Sequence, residues 1–323
     1  MRMIIFIPAF NEEGRITETV ANIPRMYDGV TDVSVLVVDD GSTDKTAELA
    51  RVAGAEVVSH TRNRGVGAAF HTAVQYALQH NCDILVGIDA DGQFNPLEIP
   101  TLIAPLLKGK ADMVIGNRFL SGKPANMPGI KFIGNKMVSR FISKISGQVF
   151  TDVSCGFRAY GREALLRFNI YGEFTYTHET ILSSVYQGLK VVEVPITVTY
   201  YTDRKSRVAG SISKYAARTS QIILRVLLDY RPLRVFGVIG GGFLAIGMGF
   251  GLFLFFHYIL TGSFTPYKSF GFIALGFGLF GLIILVIALV ADMLNRMKTN
   301  QDKILYEIRS LRYQNTTPKD KPQ

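Results

Sequence analysis

Short apolar runs alternate with helical patterns along the first third of the chain. Five runs are typical of buried strands because each carries apolar residues on both faces. The segments between them place apolar residues three or four positions apart, which is the spacing of a helix packed on one side. Elements in this order predict an α/β domain with a mostly parallel sheet covered on both faces. The five runs are residues 3–7, 33–38, 55–58, 84–88 and 113–115.

Polar residues collect directly after these predicted strands. In an open parallel sheet the carboxyl ends of the strands share one edge, and ligands bind there. The sequence therefore predicts a single ligand cleft lined by the segments that follow the strands. Those segments are Asn11-Glu12, Asp39-Asp40, Asn63-Arg64, Asp89-Ala90-Asp91 and Asn117-Arg118.

Two long uncharged stretches lie in the last third of the chain. Residues 235–267 and 269–291 contain no Asp, Glu, Lys or Arg, and Lys268 alone separates them. Each exceeds the roughly 20 residues that an α-helix needs to cross a bilayer. We therefore expect a globular domain over residues 1–208, a juxtamembrane helix over 209–232, two membrane-spanning helices over 233–293, and a C-terminal helix with a disordered tail over 294–323.

The formal net charge is +9, and its distribution distinguishes between possible partners. Residues 204–234 hold eight Lys or Arg and one acidic residue, Asp229, directly before the first uncharged stretch. Such a cluster suits anionic lipid headgroups rather than a groove of nucleic acid, so we expect membrane lipids and no nucleic acid as partners.

The N-terminus shows no signal-peptide pattern, and Lys268 is the one charge between the spans. The positive-inside bias then places the globular domain and both termini in the cytoplasm, on the plasma membrane.

A helix over residues 210–228 would carry Lys214, Arg218 and Arg225 on one face. This arrangement is typical of a basic amphipathic helix that lies on a membrane surface. An ordinary domain helix with a solvated face is the alternative.

Beyond the second uncharged stretch, apolar residues recur three or four positions apart, and Gln301 interrupts this pattern. The pattern indicates a short coiled coil and a homo-oligomer such as a tetramer. An amphipathic helix that rests on the globular domain or on the membrane explains the pattern equally well. The apolar positions are Leu294, Met297, Ile304, Ile308 and Leu311.

The Asp89-Ala90-Asp91 segment after the fourth strand has the chemistry of a cation site. Gly92 gives the chain freedom to turn, so that both carboxylates can converge. Carboxylate oxygens are hard ligands that suit Mg²⁺ or Mn²⁺, and substrate phosphates usually complete such sites. Turns and helix caps also use Asp freely, so the segment alone leaves a structural role open.

Five segments together carry a family resemblance. In order and spacing they resemble family 2 glycosyltransferases of the GT-A fold, and above all the polyprenyl-phosphate group that includes dolichol-phosphate mannose synthase and bactoprenol glucosyltransferase. The resemblance covers residues 3–215 and implies an inverting enzyme that moves a hexose from a UDP- or GDP-sugar to polyprenyl phosphate with the help of Mg²⁺ or Mn²⁺. The segments are Pro8-Ala9-Phe10-Asn11-Glu12, Val37-Val38-Asp39-Asp40-Gly41-Ser42, Asp89-Ala90-Asp91-Gly92-Gln93, Gly116-Asn117-Arg118 and Asp152-Val153-Ser154-Cys155-Gly156-Phe157-Arg158.

The resemblance also implies roles for single residues on the donor side. A divalent cation there would neutralise the charge that grows on the leaving diphosphate. A structural salt bridge is the alternative role for Arg118, and Ser42 or Asp44 can cap the next helix while Asp40 contacts the ligand. The resemblance assigns Pro8, Phe10, Glu12, Asp40 and Asp89 to the nucleotide-sugar, Asp89, Asp91 and Gln93 to the metal, and Asp91 and Arg118 to catalysis.

Basic and hydroxyl side chains are implied for the phosphate of the acceptor. The guanidinium of Arg118 suits phosphate because its N–H groups form a fork that matches phosphate oxygens. Lys131 stands where the family often has an Arg one or two residues later. A segment before the first span resembles the family's Arg-x-x-Gly-x-Ser-x-Lys phosphate contact, although Ile212 is inserted between its serines. The acceptor set is therefore Arg118, Lys131, Arg207, Ser211 and Lys214.

A general base is missing where sugar-extending relatives carry one. Those relatives have a Glu-Asp pair where this chain reads His178-Glu179-Thr180. A lipid monophosphate has a second pKa of roughly 6, so it arrives as an anion and needs orientation more than deprotonation. The missing Asp favours a phosphate acceptor, and His178 as a base is the alternative.

Two other functions compete with this hypothesis. A polysaccharide synthase would usually carry a Gln-x-x-Arg-Trp segment and more spans, whereas this chain has no Trp. A non-catalytic membrane scaffold or flippase partner would not need Asp89, Asp91, Gln93 and Arg118 together. Metal-dependent turnover separates the enzyme from the scaffold.

Overall fold

The computed structural model describes residues 1–169, 176–200, 228 and 232–314. Two compact units make up the chain: Met1–Arg204 with Leu305–Gln323, and Lys205–Ile304. The predicted basic helix over residues 210–228 lies outside the described residues apart from Leu228, and so does the predicted disordered tail from Asn315. The predicted domain boundaries at residues 208, 232 and 293 stay predictions.

A seven-stranded sheet forms the centre of the first unit, in the order β3-β2-β1-β4-β6-β5-β7. Every neighbouring pair is parallel except the two pairs that involve β6. The mostly parallel α/β sheet expected from the sequence is therefore confirmed. The strands are β1 (Arg2–Ala9), β2 (Asp32–Asp39), β3 (Glu56–Ser59), β4 (Ile84–Gly87), β5 (Met113–Asn117), β6 (Arg158–Gly161) and β7 (Val191–Pro195).

Helices cover the sheet where their apolar faces meet the apolar strands. The inner strands are almost completely buried, as expected for strands that are apolar on both faces. Phe70 stacks on Tyr176 with ring centroids 4.2 Å apart, which anchors two helices to each other. A short 3₁₀ helix covers Pro96–Glu98. The α-helices are α1 (Ile16–Ala21), α2 (Thr46–Val52), α3 (Val66–Gln79), α4 (Ile99–Leu107), α5 (Gly129–Ser146), α6 (Arg162–Arg167), α7 (Thr177–Tyr186), α8 (Pro232–Thr261) and α9 (Lys268–Gln314).

Strand β6 lies outside the five apolar runs that predicted strands. It begins with Arg158, whose side chain is fully buried. The guanidinium donates four hydrogen bonds of 2.6–2.9 Å, all of them to carbonyl or hydroxyl oxygens. These bonds tie the segment before β6 to the start of α7. The acceptors are the carbonyls of Val153, Cys155 and Thr177 and the hydroxyl of Thr180.

The second unit contains helices long and apolar enough to cross a membrane. The most apolar 18-residue stretch has a mean hydropathy of 2.1 in Pro232–Thr261 and 3.0 in Lys268–Tyr313. The two helices approach closely at small residues, since a Cβ on Gly240 would lie 3.0 Å from the carbonyl oxygen of Gly281. Small residues at such crossings are typical of helix packing in lipid.

The last turns of α9 belong to the first unit and pack on α6. The hydroxyl of Tyr306 donates to Glu163 at 3.1 Å, and Arg309 donates to the carbonyl oxygen of Phe168 at 2.7 Å. Arg162 donates to the carbonyl oxygen of Tyr313 at 2.9 Å. The polar face of this segment therefore rests on the globular domain, which is the alternative that the sequence left open.

Candidate active site

The segments after β1 and β2 interlock and form one wall of the cleft. The backbone N–H of Asn11 donates to the hydroxyl of Ser42, and the side-chain oxygen of Asn11 accepts from the N–H of Thr43, both at 2.9 Å. The N–H of Glu12 donates to the hydroxyl of Thr46 at 2.8 Å. Asn11 adopts a left-handed φ of 52°, a conformation that Asn tolerates better than most residues. These contacts fix the direction of the chain that carries Phe10 and Glu12.

Asp40 is buried at the end of β2, and its carboxylate holds the loop before α3. Its oxygens accept from the backbone N–H groups of Arg64 at 2.9 Å and Gly65 at 2.7 Å, and a 2.7 Å hydrogen bond joins it to His60. A carboxylate has about four acceptor positions, so these partners use most of them. Asp40 therefore has a structural role, and the nucleotide role predicted for it stays a prediction.

Gly41 lets the two loops of this wall approach each other. Its φ is +76°, and a Cβ there would lie 2.5 Å from the backbone carbonyl carbon of Arg62. Both facts require glycine, because any side chain would clash with the backbone of a neighbouring loop. The Asp39-Asp40-Gly41 segment is therefore built to hold the loop of residues 60–65.

Asp89 and Asp91 lie together after β4, in an environment that disfavours two negative charges. Burial raises the pKa of Asp89 well above its ordinary value, and the charges of Asp91 and Glu12 act in the same direction, while Arg118 opposes them. A Cβ on Gly156 would lie 3.0 Å from an oxygen of Asp89, so this glycine leaves room for the carboxylate. The two carboxylates are therefore close enough for the charge of Asp91 to act on Asp89.

Helix α1 and the residue before it support this turn from behind. Arg15 donates to the carbonyl oxygen of Asp91 at 3.2 Å, and Thr19 donates to that of Ala90 at 3.1 Å. The N–H of Gln93 donates to a carboxylate oxygen of Asp91 at 3.1 Å. The turn is therefore held both by its backbone carbonyls and by the carboxylate of Asp91.

The donor set at this turn fits a hard divalent cation. Two carboxylates that repel each other gain from a shared positive charge, and the side-chain amide of Gln93 lies two residues beyond Asp91. Within the described residues, no group of three or more His, Cys, Asp or Glu side chains is placed to hold a metal ion. The metal role predicted for Asp89, Asp91 and Gln93 stays a prediction, in which the two carboxylates would supply part of a coordination shell that substrate phosphates complete.

Arg118, at the end of β5, forms a two-pronged ion pair with Asp152. Its Nε and one Nη donate to the two oxygens of Asp152 at 2.7 and 2.8 Å, and Ser154 and Tyr200 accept at 2.8 and 3.1 Å. These partners take four of the five N–H donors that an Arg possesses. Burial lowers the pKa of Arg118, but Asp152 more than offsets this and raises it overall. The salt bridge that the sequence left as an alternative is present, and the donor fork predicted for phosphate is bound to Asp152.

Lys131 lies in α5, near enough to Arg118 for the two charges to repel. Burial lowers the pKa of Lys131, and the charge of Arg118 lowers it further. A second cation beside Arg118 makes this part of the cleft attractive to an anion. The other residues predicted for the acceptor, Arg207, Ser211 and Lys214, lie outside the described residues.

His178 is buried in α7 rather than exposed to the cleft. Burial lowers its pKa to about 4, and the charge of Arg158 acts in the same direction. Neither ring nitrogen has a hydrogen-bond partner in the described parts of the chain. A neutral, enclosed imidazole is poorly placed to take a proton from an acceptor.

The structure brings Glu12, Asp91 and Arg118 within electrostatic range of Asp89. Pro8 is half-buried near the end of β1 and lies opposite Val38 of β2. Sequence analysis assigned no role to the residues that hold this set, although the Asp152–Arg158 segment contained the signal. Asp152 and Ser154 hold Arg118, Gly156 makes room for Asp89, and Arg158 fixes the loop between them.

Comparison with known proteins decides the family. The family model described as glycosyl transferase family 2 matches residues 4–167, which is half of the chain. The chain belongs to glycosyl transferase family 2. As a member of this family the protein is a glycosyltransferase, and its sheet is that of the GT-A fold, as the resemblance implied.

This family 2 glycosyltransferase is similar to named relatives over most of its length. It is 30% identical to glycosyltransferase AglJ of Haloferax volcanii, over 94% of this chain and 97% of that protein. It is 31% identical to polyprenol monophosphomannose synthase of Mycolicibacterium smegmatis, over 65% of this chain and 82% of that protein.

A solved structure shares the fold. Glucosyl-3-phosphoglycerate synthase from Mycobacterium tuberculosis, in complex with Mn²⁺, UDP and glucosyl-3-phosphoglycerate, has a TM-score of 0.55 and 24% identity. The likeness covers 70% of this chain and 78% of that one, and it shows the fold alone.

Proposed function

We propose that this glycosyltransferase moves a hexose from a UDP- or GDP-sugar to polyprenyl phosphate, with inversion at the anomeric carbon. The observation that carries the proposal is that one cleft combines a carboxylate pair with a cation pair. Arg118 is in electrostatic range of both Asp89 and Lys131, and Asp91 is in range of Asp89. The polyprenyl-phosphate acceptor is supported by the similarity to polyprenol monophosphomannose synthase.

On the donor side, the chain binds a nucleotide diphosphate through the carboxylate pair. Asp89, Asp91 and the side chain of Gln93 would hold Mg²⁺ or Mn²⁺. When bound, such a cation neutralises the negative charge that develops on the leaving diphosphate. The interlocked wall carries Pro8, Phe10, Glu12 and Asp40 toward the nucleotide, and the hydrogen bonds of Asn11 and Asp40 keep that wall rigid.

On the acceptor side, Arg118 and Lys131 attract the phosphate of the lipid. Because Asp152 holds most of the Arg118 fork, Arg118 contributes mainly positive charge, and the ammonium of Lys131 is the more direct phosphate ligand. Arg207, Ser211 and Lys214 extend this phosphate site. Removal of Lys131 should therefore raise the KM for the lipid more than it lowers kcat.

The reaction needs no general base from the protein. A phosphate monoester with a second pKa of roughly 6 is mostly ionised at neutral pH, so one of its oxygens attacks the anomeric carbon directly. A new C–O bond forms as the bond to the diphosphate breaks, and the nucleoside diphosphate leaves with the electron pair. The buried, neutral His178 agrees with this mechanism.

The apolar helices α8 and α9 anchor the enzyme in the plasma membrane. The exposed apolar side chains of both helices suit lipid. We propose that the globular domain and both termini face the cytoplasm, where nucleotide-sugars are available. Protease added outside cells should leave a reporter fused after Gln323 intact, and its cleavage would mean the opposite orientation.

The full-length protein in lipid nanodiscs provides the test. Nucleotide-sugars bearing different labelled hexoses are offered with undecaprenyl phosphate, in EDTA or with added Mg²⁺ or Mn²⁺. We expect label in the lipid fraction with one donor and only with a divalent cation. Asp28→Asn serves as the control because Asp28 is an exposed carboxylate away from the cleft. Lipid labelling at the full rate in EDTA would contradict the proposed need for a divalent cation. No labelling with any donor would contradict polyprenyl phosphate as the acceptor.

A further inference from the structure

Helix α5 packs against the globular domain with one face, here called its inner face. Asn135 and Ser139 donate to the carbonyl oxygen of Thr151, both at 3.2 Å, and the hydroxyl of Tyr186 in α7 donates to the carbonyl oxygen of Ile145 at 3.1 Å. The domain therefore holds the helix by this face. The buried side chains of the inner face are Asn135, Val138, Ser139, Ile142 and Ile145.

The opposite, outer face of α5 combines large apolar side chains with cations. Ile133 is 59% exposed, and Met137, one turn later, is 66% exposed. Leu120 is also exposed and follows Phe119, whose ring contacts that of Phe132 in α5. The exposed residues of the outer face are Gly129, Ile133, Lys136, Met137, Arg140 and Lys144. Their spacing of three or four residues places them within about 100° of one another around the helix.

The stretch of chain that contains α5 is uniformly basic. Residues 113–151 hold six Lys or Arg and no Asp or Glu. Among the ion pairs in the described part of the chain, none includes Lys136, Arg140 or Lys144. A helix face with exposed apolar side chains, several cations and no acidic residue is typical of a helix that lies on an anionic membrane.

We propose that the outer face of α5 is a contact of the globular domain with anionic lipid. Ile133 and Met137 lie among the acyl chains next to the headgroups, and the cations Lys136, Arg140 and Lys144 bind the headgroups. Long Lys and Arg side chains can lie along apolar surface while their charged ends reach polar groups. Because α8 and α9 are long and apolar enough to hold the chain in a bilayer, the contact needs little affinity of its own.

The composition of the outer face favours lipid over other anionic partners. Nucleic acid would attract the cations, but its phosphates offer nothing to the exposed side chains of Ile133 and Met137. Protein interfaces are depleted in Lys, whereas two of the three cations here are Lys136 and Lys144. An anionic membrane surface satisfies both the apolar pair and the cations.

The contact would also bring the predicted acceptor site close to the bilayer, a step that rests on the proposed function. Lys131 comes two residues before Ile133 and therefore lies on the other side of α5, where the charge of Arg118 acts on it. A helix with its side chains is about 10 Å across, so a phosphate at Lys131 would lie about 10 Å from the lipid at the outer face. The polyprenyl chain could then stay in the membrane while its phosphate enters the cleft.

Fluorescence quenching by lipid tests the contact in the full-length protein, without donor or acceptor. Met137→Cys carries the fluorophore on the outer face of α5. Met26→Cys is the matched control, because Met26 is 88% exposed in the loop between α1 and β2. The native Cys82 and Cys155 are buried, so both labels are specific. The liposomes contain equal parts of phosphatidylglycerol and phosphatidylcholine and a lipid with a nitroxide on its acyl chain.

We expect at least about threefold more quenching at position 137 than at position 26, because only the former lies at the acyl boundary. Equal quenching at the two positions would overturn the proposal. A label at position 137 that is shielded both from the nitroxide lipid and from iodide in the water would show a protein partner instead, and this too would overturn it.

Removal of charge tests the preference for anionic lipid. Arg140→Gln with Lys144→Gln should lower the quenching of the Met137→Cys label about threefold, since each cation near an anionic surface contributes about a factor of five in binding. Lys108→Gln with Lys110→Gln, at exposed positions after α4, is the control and should leave the quenching unchanged. All four positions are exposed, so these substitutions remove no buried packing. Equal quenching in liposomes of phosphatidylcholine alone would overturn a contact with anionic lipid.

The same protein distinguishes this proposal from the proposed function. Quenching at position 137 without transfer of any hexose would support the membrane contact and contradict the proposed function. Transfer to polyprenyl phosphate without quenching at position 137 would support the function and overturn the membrane contact.

Discussion

The carboxylates after β2 and those after β4 look alike in sequence but differ in what satisfies them. Asp39 and Asp40 are 4% exposed, and each accepts hydrogen bonds from backbone N–H groups of nearby loops. Asp89 and Asp91 are half-buried and repel each other, and burial and this repulsion raise the pKa of Asp89. The first pair is held by backbone N–H groups of the loops around it, whereas burial and mutual repulsion disfavour the charged form of Asp89 in the second pair.

This difference separates a structural role from a ligand-binding role at one edge of a single sheet. Hydrogen bonds to a buried carboxylate stabilise the fold, and their loss leaves unpaired N–H groups. Two close carboxylates without compensation destabilise the fold until a cation binds. Neutral substitutions should therefore have opposite effects on stability at the two strand ends.

The largest effect is expected at Asp91. Asp91→Asn should lower kcat/KM by about a thousandfold, which corresponds to roughly 4 kcal/mol of transition-state stabilisation, because one cation ligand is lost. In EDTA the variant should be at least as stable as the parent, because the substitution also removes the repulsion between Asp91 and Asp89. Turnover and melting curves of purified protein measure both, with Asp28→Asn as the reference. Full activity of Asp91→Asn would show that Asp91 is not a cation ligand.

A loss of stability is expected at the other strand end. Asp40→Asn replaces an acceptor by a donor opposite the N–H groups of Arg64 and Gly65. The free energy of unfolding should fall by about 2–3 kcal/mol, and the KM for the nucleotide-sugar should rise as the loop loosens. Denaturant unfolding and donor titration measure these changes. An unchanged unfolding free energy would show that the comparison of the two carboxylate pairs is wrong.

The pH of these measurements matters because of His178. Its pKa falls from about 6.5 in the unfolded chain to about 4 in the folded domain, so the unfolded chain binds an additional proton between these values. Stability should therefore drop as the pH falls below 6.5, by about 2 kcal/mol at pH 5. His178→Gln should remove this part of the acid sensitivity. If the pH dependence of unfolding is the same in both proteins, His178 is not buried as a neutral ring.

The smallest effect is a gain in stability. Asp89→Asn keeps the shape of the side chain and removes its repulsion with Asp91 and Glu12. In EDTA at pH 8 the variant should be more stable by about 1 kcal/mol, seen as a melting temperature a few degrees higher. A lower melting temperature would mean that the second carboxylate pair is also satisfied within the protein.

The sequence predicted the parts of the fold that follow from local pattern. The apolar runs located the five parallel strands β1 to β5, and the rule for strand ends collected the polar residues in one cleft. Strand β6 was missed because it has four residues and begins with Arg158, which looks like a surface residue and is fully buried. Its burial depends on four oxygens that only the folded chain brings together.

The sequence predicted which residues form the site, but not which residues they contact. The Asp89-Ala90-Asp91 turn and Arg118 were identified from the family resemblance, and the structure places them close together. The bond from Arg118 to Asp152 joins residues 34 positions apart, a separation that no helical or strand period reports. The sequence therefore suggested a free guanidinium fork for phosphate where the folded chain has an ion pair.

The reversed direction of β6 has a consequence for how this enzyme can change. Strand β6 starts at the edge of the sheet where β4 ends. The segment before β6 therefore contacts two parts of the site, because Gly156 lies beside Asp89 and Asp152 binds Arg118. A change of length in residues 152–157 would displace the carboxylate and the guanidinium at the same time. New sugar or lipid preferences should therefore arise by mutation of the outer rims of the cleft, while this segment stays fixed in length.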